Sequence, residues 1–454
     1  MYTFSNRLKM FAFASIVLGV LLWGWAYVSA PGSIDDVKVM LAEEASHGGG
    51  HGGGSFDVTQ EHGDNSHGEK AGHGEAGHGN ADEHAEHVYH QLKNKPWSAL
   101  YVAAFFFMMI PLGVLAFYAI QRAAQAGWSP LLFRVMEGIT GYLLPGTLIV
   151  LLLLVLSSVG INHIFHWMDP ELINPESDHY DKLIAGKSGF LNIPFFLIRA
   201  AIFILGWNFY RWISRKLSVA QDNASDNSNF KKNFRWAAGF LVFFIYTESM
   251  MSWDWIMSFD PHWFSTLFGW YVFASMFVSG ITVIALVTIY LKSRGYLEQV
   301  NDSHIHDLAK FMFGISIFWT YLWFSQFMLI WYSNIPEEVT YFVTRIEDYK
   351  LPFFGMLVMN FIFPLLILMN SDYKRMNWFV IMAGLVILAG HYIDIFNMVM
   401  PATVGDRWFI GAGEIGAVLL FLGLFILVVF NSIAKHPLIV KRNPLLEESK
   451  HFHY

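Results

Sequence analysis

The chain has 454 residues, of which 55% are hydrophobic, 17% aromatic and only 14% charged, and its mean hydropathy is +0.40. This composition lies outside the range of soluble globular proteins, so it excludes a water-soluble enzyme and indicates an integral membrane protein. The sequence contains no cysteine, which excludes an iron–sulfur cluster, a disulfide or a thioether-bound haem held by this chain. The net charge of −7, without a basic domain, excludes nucleic-acid binding.

Ten apolar segments are long enough to cross a bilayer as helices, which takes about 20 residues each. They are continuously apolar, whereas the strands of an outer-membrane barrel alternate in polarity over about 10 residues. The sequence therefore predicts an all-α integral membrane protein with about ten transmembrane helices. In chain order the predicted spans are 9–29, 98–122, 139–164, 190–213, 236–257, 264–290, 308–332, 351–369, 378–398 and 408–430.

The charge distribution predicts that both termini are cytoplasmic. With that orientation most of the 29 Lys and Arg residues fall on the inner side, as the positive-inside rule requires. The first span ends in Val-Ser-Ala at 28–30, which resembles a signal-peptide cleavage site, but its long apolar run favours a span that is retained. The predicted regions are a first span (1–30), a polar outer loop (31–97), a nine-helix membrane core (98–430) and a cytoplasmic tail (431–454).

Residues 31–97 form a long polar segment rich in Gly, Glu, Asp and His. It has too little apolar content to bury a core, so we expect it to be disordered or to lie over partner proteins. Imidazoles and carboxylates also bind metals, but the spacing lacks the tight pairs of a structural zinc site, so weak metal binding and a solvated linker remain alternatives. The histidines are His47, His51, His62, His67, His73, His78, His84, His87 and His90.

Ionisable residues inside the predicted spans are costly, so each one is a candidate functional residue. Carboxyl and imidazole groups leading from one face to mid-membrane are what proton transfer requires. Arg199 and Glu248 fall at similar depths on consecutive spans, which predicts an ion pair between them, and His391 and Asp394 share a helix face. The proton-pathway candidates are Glu137, Arg199, Glu248, Asp254, His391, Asp394 and Glu414.

Two further sets of polar residues lie near these candidates. Tyr321, Ser325 and Gln326 are expected to assist Glu137 in the inner half of a pathway. The third predicted span ends at the outer face with two histidines, 163 and 166. Axial haem ligands need histidines at matched depth on two helices, and no second pair stands out. Interfacial histidines are therefore the favoured interpretation.

Two stretches are specific enough to compare with a known family. The first, 248–269, reads ESMMSWDWIMSFDPHWFSTLFG, and the second, 306–338, reads HDLAKFMFGISIFWTYLWFSQFMLIWYSNIPEE. Together with HYID at 391–394 and GAGEIG at 411–416, they resemble the large ten-span membrane subunits of bacterial alternative complex III, which are related to the polysulfide-reductase anchor family. The likeness covers most of the spans between 100 and 430.

This resemblance implies two four-helix bundles plus two peripheral helices in the bacterial inner membrane. C-type subunits of the family carry a His-Met-Gly-Arg-Pro-Trp motif at a quinol pocket, whereas region 161–170 reads INHIFHWMDP here. That difference and the histidine-rich loop make the chain similar to the F-type subunits. The implied partners are a sister C-type membrane subunit, a multihaem cytochrome c subunit, an iron–sulfur subunit and other small membrane subunits. Haem c and iron–sulfur clusters are then expected in those partners, and no cofactor in this chain.

The resemblance further implies a subunit of a respiratory quinol:electron-acceptor oxidoreductase that scaffolds the complex and conducts protons through half-channels. One alternative is a direct quinol-binding redox subunit, with His163, His166 and Asp169 at the quinol headgroup. A second alternative is a secondary transporter with a substrate site around Arg199 and Glu248. A transporter is expected to contain an inverted repeat, but the sequence shows only a weak similarity between residues 166–170 and 260–263.

Overall fold

The computed structural model describes residues 2–46 and 76–453, and every regular element in these two ranges is helical. The prediction of an all-α protein is therefore confirmed. In chain order the helices are α1 (Asn6–Val28), α2 (Ile34–Ser46), α3 (Ala76–Ala123), α4 (Phe133–Ile139), α5 (Leu143–Ser158), α6 (Lys182–Gly186), α7 (Ile193–Gln221), α8 (Ser228–Trp255), α9 (Phe268–Ser293), α10 (Asp302–Ser333), α11 (Pro336–Glu347), α12 (Lys350–Leu357), α13 (Phe363–Leu368), α14 (Asn377–Val404), α15 (Ala412–Ala434) and α16 (Leu446–Lys450).

Nine helical stretches within the described ranges are long and apolar enough to cross a membrane. They correspond to α1, α3, α4 with α5, α7, α9, α10, α12 with α13, α14 and α15. These nine confirm a multi-pass membrane protein. The remaining predicted span coincides with α8, a helix of 28 residues that falls outside the nine. It is less apolar because Glu248, Asp254 and several serines lie within it.

Contacts between the connecting segments divide them into two faces of the molecule. At the face we call the tail face, Lys441 N donates to Asp222 Oδ1 at 3.0 Å, and the ring of Tyr2 packs on that of Tyr296. At the opposite face, the loop face, Lys187 Nζ donates to the carbonyl of Pro261. Helix α8 begins beside the first of these contacts and ends beside the last, so it also runs from face to face. Residues 2–46 and 76–453 together thus make ten passes.

The ten passes form two bundles of four helices with two helices at the periphery. Helices α3, α5, α7 and α8 pack as one closed ring, and α9, α10, α12 with α13, and α14 pack as a second. Helix α3 lies between the bundles and also contacts α9, α14 and α15, so 94% of its most apolar stretch is buried. Helix α1 packs on α15, and only 17% of its corresponding stretch is buried. The predicted arrangement of two bundles and two peripheral helices is confirmed.

Part of the polar outer segment is helical, which corrects the expectation that it lacks its own structure. Helix α2 and the first half of α3 lie within 31–97 and pack against each other. Lys38 Nζ lies 2.6 Å from Asp82 Oδ1, and Val37 is fully buried. The abundant Ala, Glu and Lys residues of both segments are good helix formers, which explains the difference. The predicted histidines at 47, 51, 62, 67 and 73 lie outside the described residues.

Glycines hold α1 directly against the backbone of α15. A Cβ atom on Gly416 would lie 2.5 Å from the backbone N of Trp23, and one on Gly423 would lie 2.5 Å from the carbonyl O of Ala12. Close backbone approach through small residues is a common way for helices to associate in a bilayer, where no hydrophobic force drives them together. This fit favours a first span that stays in the protein.

We predict that Gly416→Ala destabilises the protein by about 1–3 kcal/mol, the usual range for overpacking, because its new methyl group meets backbone that cannot move aside alone. Gly24→Ala is the matched control, since a Cβ atom at Gly24 meets nothing within 4 Å. Thermal melting of both variants in the same detergent measures the difference. Equal melting temperatures for the two variants would contradict the proposed packing.

Candidate functional site

Asp394 and His391 on α14 form the centre of a buried polar network in the second bundle. Both are fully buried, and His391 Nδ1 lies 3.5 Å from Asp394 Oδ2. Tyr271 donates its hydroxyl to Asp394 Oδ1, and Trp319 Nε1 donates to Oδ2 at 2.9 Å. Ser275 Oγ lies 2.9 Å from His391 Nδ1. The predicted pairing of His391 with Asp394 on one helix face is confirmed, and we call these five residues, together with Asn360, the loop-side network.

A proline explains how Asn360 joins this network. Pro364 has no N–H group to donate to the carbonyl of Asn360, the acceptor of an ideal α-helix. The chain widens at this point into a π-helical turn, Val358–Ile362, a feature frequent at functional sites. Asn360 is fully buried there, with Nδ2 3.4 Å from His391 Nδ1. On its other side the imidazole keeps Nε2 buried with no hydrogen-bond partner among the described residues.

A narrow crevice with a free volume of only about 10 Å³, close to the space of one water molecule, adjoins the network near the loop face. Helix α11 covers it with Arg345, which donates to the carbonyl oxygens of Asn397 at 3.0 Å and Tyr341 at 2.7 Å. The guanidinium also lies 3.3 Å from the centre of the Tyr341 ring. Tyr271 lines the crevice and also bonds Asp394, so its hydroxyl connects the crevice to the network.

Three buried polar atoms along this crevice have no hydrogen-bond partner among the described residues. They are Trp323 Nε1, Gln326 Nε2 and Asn397 Oδ1. Unpaired buried groups are costly, and water molecules commonly satisfy them. These three atoms give the crevice polar groups that can bind water. Gln326 was expected to assist Glu137 in the inner half, but it lies in this loop-side crevice because it is close to the loop-face end of α10, so that expectation is wrong.

Arg199 pairs with Asp254, not with Glu248, so the predicted ion pair is wrong. The guanidinium contacts both carboxylate oxygens, at 2.6 and 2.8 Å, and lies between the rings of Phe190 and Phe195 at 3.9 and 4.3 Å. Helical side chains point toward the amino end of their helix. Since α7 and α8 are antiparallel, Arg199 reaches toward the loop face, where Asp254 lies.

Glu248, by contrast, has no charged partner within 4 Å among the described residues. Its side chain is 3% exposed, and its carboxyl group contacts the hydroxyls of Ser252 at 3.1 Å and Ser249 at 3.5 Å. Both partners are neutral and small. Glu248 is therefore a buried carboxyl group that no cation fixes in the charged form.

Glu137 lies in a second buried cluster near the tail face. Its carboxylate accepts from Arg134 at 2.7 Å and from the Tyr118 hydroxyl at 2.9 Å, and Arg122 lies 3.6 Å away. Arg134 also contacts Asp222 at 2.5 Å. A second narrow crevice, with a free volume of about 10 Å³, borders Arg122 and Asp222. Glu137 is thus held as an anion by two arginines.

Glu414 has a local structural role at the amino end of α15. Its Oε2 accepts from the backbone N–H of Gly411 at 2.9 Å, as the N3 residue of a capping box does. Its Oε1 is buried and has no hydrogen-bond partner among the described residues. The residue lies on a peripheral helix, away from the second bundle's network.

The three residues of the quinol alternative lie on the loop face but do not form a pocket. His163, His166 and Asp169 are all exposed, and no hydrogen bond within the described part of the chain joins them to one another. The Asp169 carboxylate caps a short helical turn by accepting from Glu171 N at 3.0 Å. The Asp169 side chain therefore has a local capping role.

An ion pair at the same face involves residues that the sequence did not single out. His262 Nε2 lies 2.6 Å from Asp181 Oδ2. Burial opposes ionisation of Asp181, but backbone N–H groups of Ile184 and Leu183 and the contact with His262 outweigh it, so the pKa of Asp181 lies below its usual value. The pair ties the segment before α7 to the one after α8.

Several residues of the site escaped sequence reasoning. Tyr271, Trp319 and Asn360 are uncharged and stand in apolar runs, so only their partners on other helices reveal them. Arg345 lies outside the predicted spans, and the amphipathic pattern of Pro336–Glu347 is the sequence signal that it faces inward. Within the described ranges no group of three or more His, Asp or Glu residues is placed to hold a metal ion.

Comparison with known proteins adds no family assignment, because neither protein-family models nor curated proteins match this sequence. The fold and the buried networks define a multi-pass, all-α membrane protein with titratable groups in its interior.

We predict that Asp254→Asn destabilises the protein by about 3–5 kcal/mol, because it leaves the Arg199 charge buried without a carboxylate. Glu248→Gln is the control, since both of its serine partners can bond an amide as well. Thermal melting in detergent compares the two variants. A melting temperature of Asp254→Asn equal to that of Glu248→Gln would show that the ion pair does not carry this role.

Proposed function

We propose that the protein is a membrane subunit of a respiratory quinol:electron-acceptor oxidoreductase of the alternative complex III type, in the bacterial inner membrane. In this proposal it scaffolds the complex and conducts protons, while haem c and iron–sulfur clusters in partner subunits carry the electrons. The sequence stretches 248–269 and 306–338 support the family assignment by their resemblance. The observation that supports proton conduction is the connection from the loop-face crevice through Tyr271 to Asp394 and His391.

The contacts divide the candidate residues into two groups. A carboxylate held by arginine gains little from a proton, so Asp254 and Glu137 serve as fixed charges, and Arg199 serves to hold Asp254. Four candidates have a carboxyl or imidazole group that no lysine or arginine of the described residues binds. In three of them this group has either a polar atom without a hydrogen-bond partner among those residues or only neutral partners. These candidates are Glu248, His391, Asp394 and Glu414.

In the loop-side half-channel the chain's own groups exchange protons over hydrogen bonds. In the structure the Tyr271 hydroxyl donates to the Asp394 carboxyl group. Once Asp394 takes up a proton from the interior, the hydroxyl turns, accepts that proton and donates its own to the crevice. His391 borders Asp394 and provides a second site for the same proton. Water in the crevice, held by Gln326, Asn397 and Arg345, receives the proton at the loop face.

Purification of the tagged protein in mild detergent tests the assignment to a respiratory complex. We expect it to co-purify with a multihaem cytochrome and an iron–sulfur subunit, identified by mass spectrometry and by optical spectra of haem. A haem-free protein that purifies alone, in a detergent shown to preserve membrane complexes, would contradict the assignment. It would favour the transporter alternative.

We predict that Asp394→Asn and Glu248→Gln each lower the number of protons released per quinol oxidised, because an amide cannot carry a proton. The measurement uses the intact complex reconstituted in vesicles, with a pH-sensitive dye outside and electron transfer followed in parallel. Glu337→Gln is the control, since Glu337 is exposed on α11. A proton stoichiometry in both variants equal to that of the control would exclude these residues from the pathway.

A further inference from the structure

The tail face holds more arginine than carboxylate at its buried and half-buried positions. Arg122 and Arg134 surround Glu137 and Asp222, and these two cations and two anions neutralise one another. Two more arginines of α7 lie next to this cluster. Within the described residues neither of them has a carboxylate within 4 Å. The tail face therefore carries a local excess of positive charge inside the protein.

Arg215 uses only neutral acceptors. It donates to the backbone carbonyl of Glu137 at 3.1 Å, and to the hydroxyl and carbonyl of Ser432 at 2.8 and 3.1 Å. These three bonds hold the guanidinium in place without neutralising it.

Arg211, one helical turn earlier, makes no hydrogen bond and no ion pair within the part of the chain that the structure describes, and its Nε is enclosed by protein. Arg211 as a whole is half-buried, and only its Nε has lost water without gaining a partner, which is costly. Its terminal nitrogens stay accessible, so an anion that reaches them would match the charge of the group.

The two arginines face a seam between α7, the turn at 140–142 and α15. Gly141 makes the seam possible, since a Cβ atom there would lie 2.5 Å from Ser432 Oγ and 3.8 Å from a terminal nitrogen of Arg211. His436, just beyond the end of α15, lies within electrostatic range of Arg215. The seam is thus lined by cationic and hydroxyl groups from two separate helices.

The depth of the seam matches the headgroup region of a bilayer. Trp212 and Trp236, adjacent along the surface through Phe209, are 55% and 43% exposed. Exposed tryptophans concentrate at the membrane interface. Toward mid-membrane, α7 presents apolar side chains such as Leu205, which is 70% exposed and suited to acyl chains.

We propose that Arg211 and Arg215 bind the phosphate of an anionic phospholipid in the leaflet at the tail face. A guanidinium matches phosphate oxygens with paired N–H donors, and basic pockets between transmembrane helices are known headgroup sites. The neighbouring apolar surface of α7 holds the acyl chains. Free inorganic phosphate shares the headgroup chemistry but makes no use of that surface. This site is independent of proton conduction and of the respiratory assignment.

Native mass spectrometry of the purified protein, titrated with phosphatidylglycerol and with phosphatidylcholine of the same acyl chains, tests the site. We expect the wild type to prefer phosphatidylglycerol, and Arg211→Gln to reduce that preference about fivefold. The control Arg235→Gln removes an equal charge from an exposed position on α8 and should retain the preference. Equal preferences in Arg211→Gln and Arg235→Gln would overturn the site.

Two further measurements distinguish the remaining explanations. Arg211 makes no hydrogen bond or ion pair with the described residues, so Arg211→Gln should fold as the wild type does. Arg215→Gln loses three hydrogen bonds and is judged only after a melting curve. Bound phosphatidylglycerol should persist in excess inorganic phosphate. Its complete displacement by phosphate would overturn the lipid assignment in favour of a free anion.

Discussion

Water is absent from the hydrocarbon interior, so every polar group placed there must find its partner within the protein. This constraint fixes how the helices of this molecule meet. The contact between Arg199 and Asp254 sets α7 against α8, and the two hydrogen bonds to Asp394 bring α9 and α10 to α14. Apolar side chains surround these contacts and fill the space, but they would tolerate many small shifts. The polar contacts select one arrangement among them.

The same constraint distinguishes two kinds of buried titratable group: those that are paired with an opposite charge, and those that have only neutral partners. A carboxylate that is paired with arginine has little tendency to take up a proton, and Asp254 and Glu137 are both paired in this way. Glu248 is different, because its neighbours are neutral hydroxyls. The imidazole of His391 has one ring nitrogen without a hydrogen-bond partner in the described part of the chain. Groups of this second kind are rare in a membrane interior because they cost stability, and their presence is the best structural support for a role in moving charge.

Much of the architecture was predictable from the sequence, because helix length and apolarity follow directly from bilayer thickness. The pairing of His391 with Asp394 was predictable for a similar reason, since residues three apart on one helix are neighbours by geometry. Contacts between helices were harder. The similar depth of the two residues predicted Glu248 as the partner of Arg199. The Arg199 side chain instead points toward the amino end of its helix, at the loop face, where it meets Asp254.

Other features depend on information that a hydropathy profile does not contain. The crevice beneath α11 needs the placement of Arg345 relative to Asn397, which only the packed structure supplies. The helical parts of the polar outer segment were not predicted, because a low apolar content does not by itself indicate a helix. The contact between Lys38 and Asp82 shows that neighbouring helices can also associate through an ion pair. The seam at Arg211 likewise depends on a single glycine.

The π-helical turn at Val358–Ile362 has a geometric consequence for the whole of its span. One extra residue in a helix rotates everything after it by about 100° relative to what precedes it. The two halves of this pass, α12 and α13, therefore present different sides of the sequence to the interior. In a related protein without the extra residue, the same amino acids would turn Asn360 away from His391. The rotation of this helix about its axis, and not its amino-acid composition, therefore determines whether the Asn360 amide lies next to the His391 imidazole.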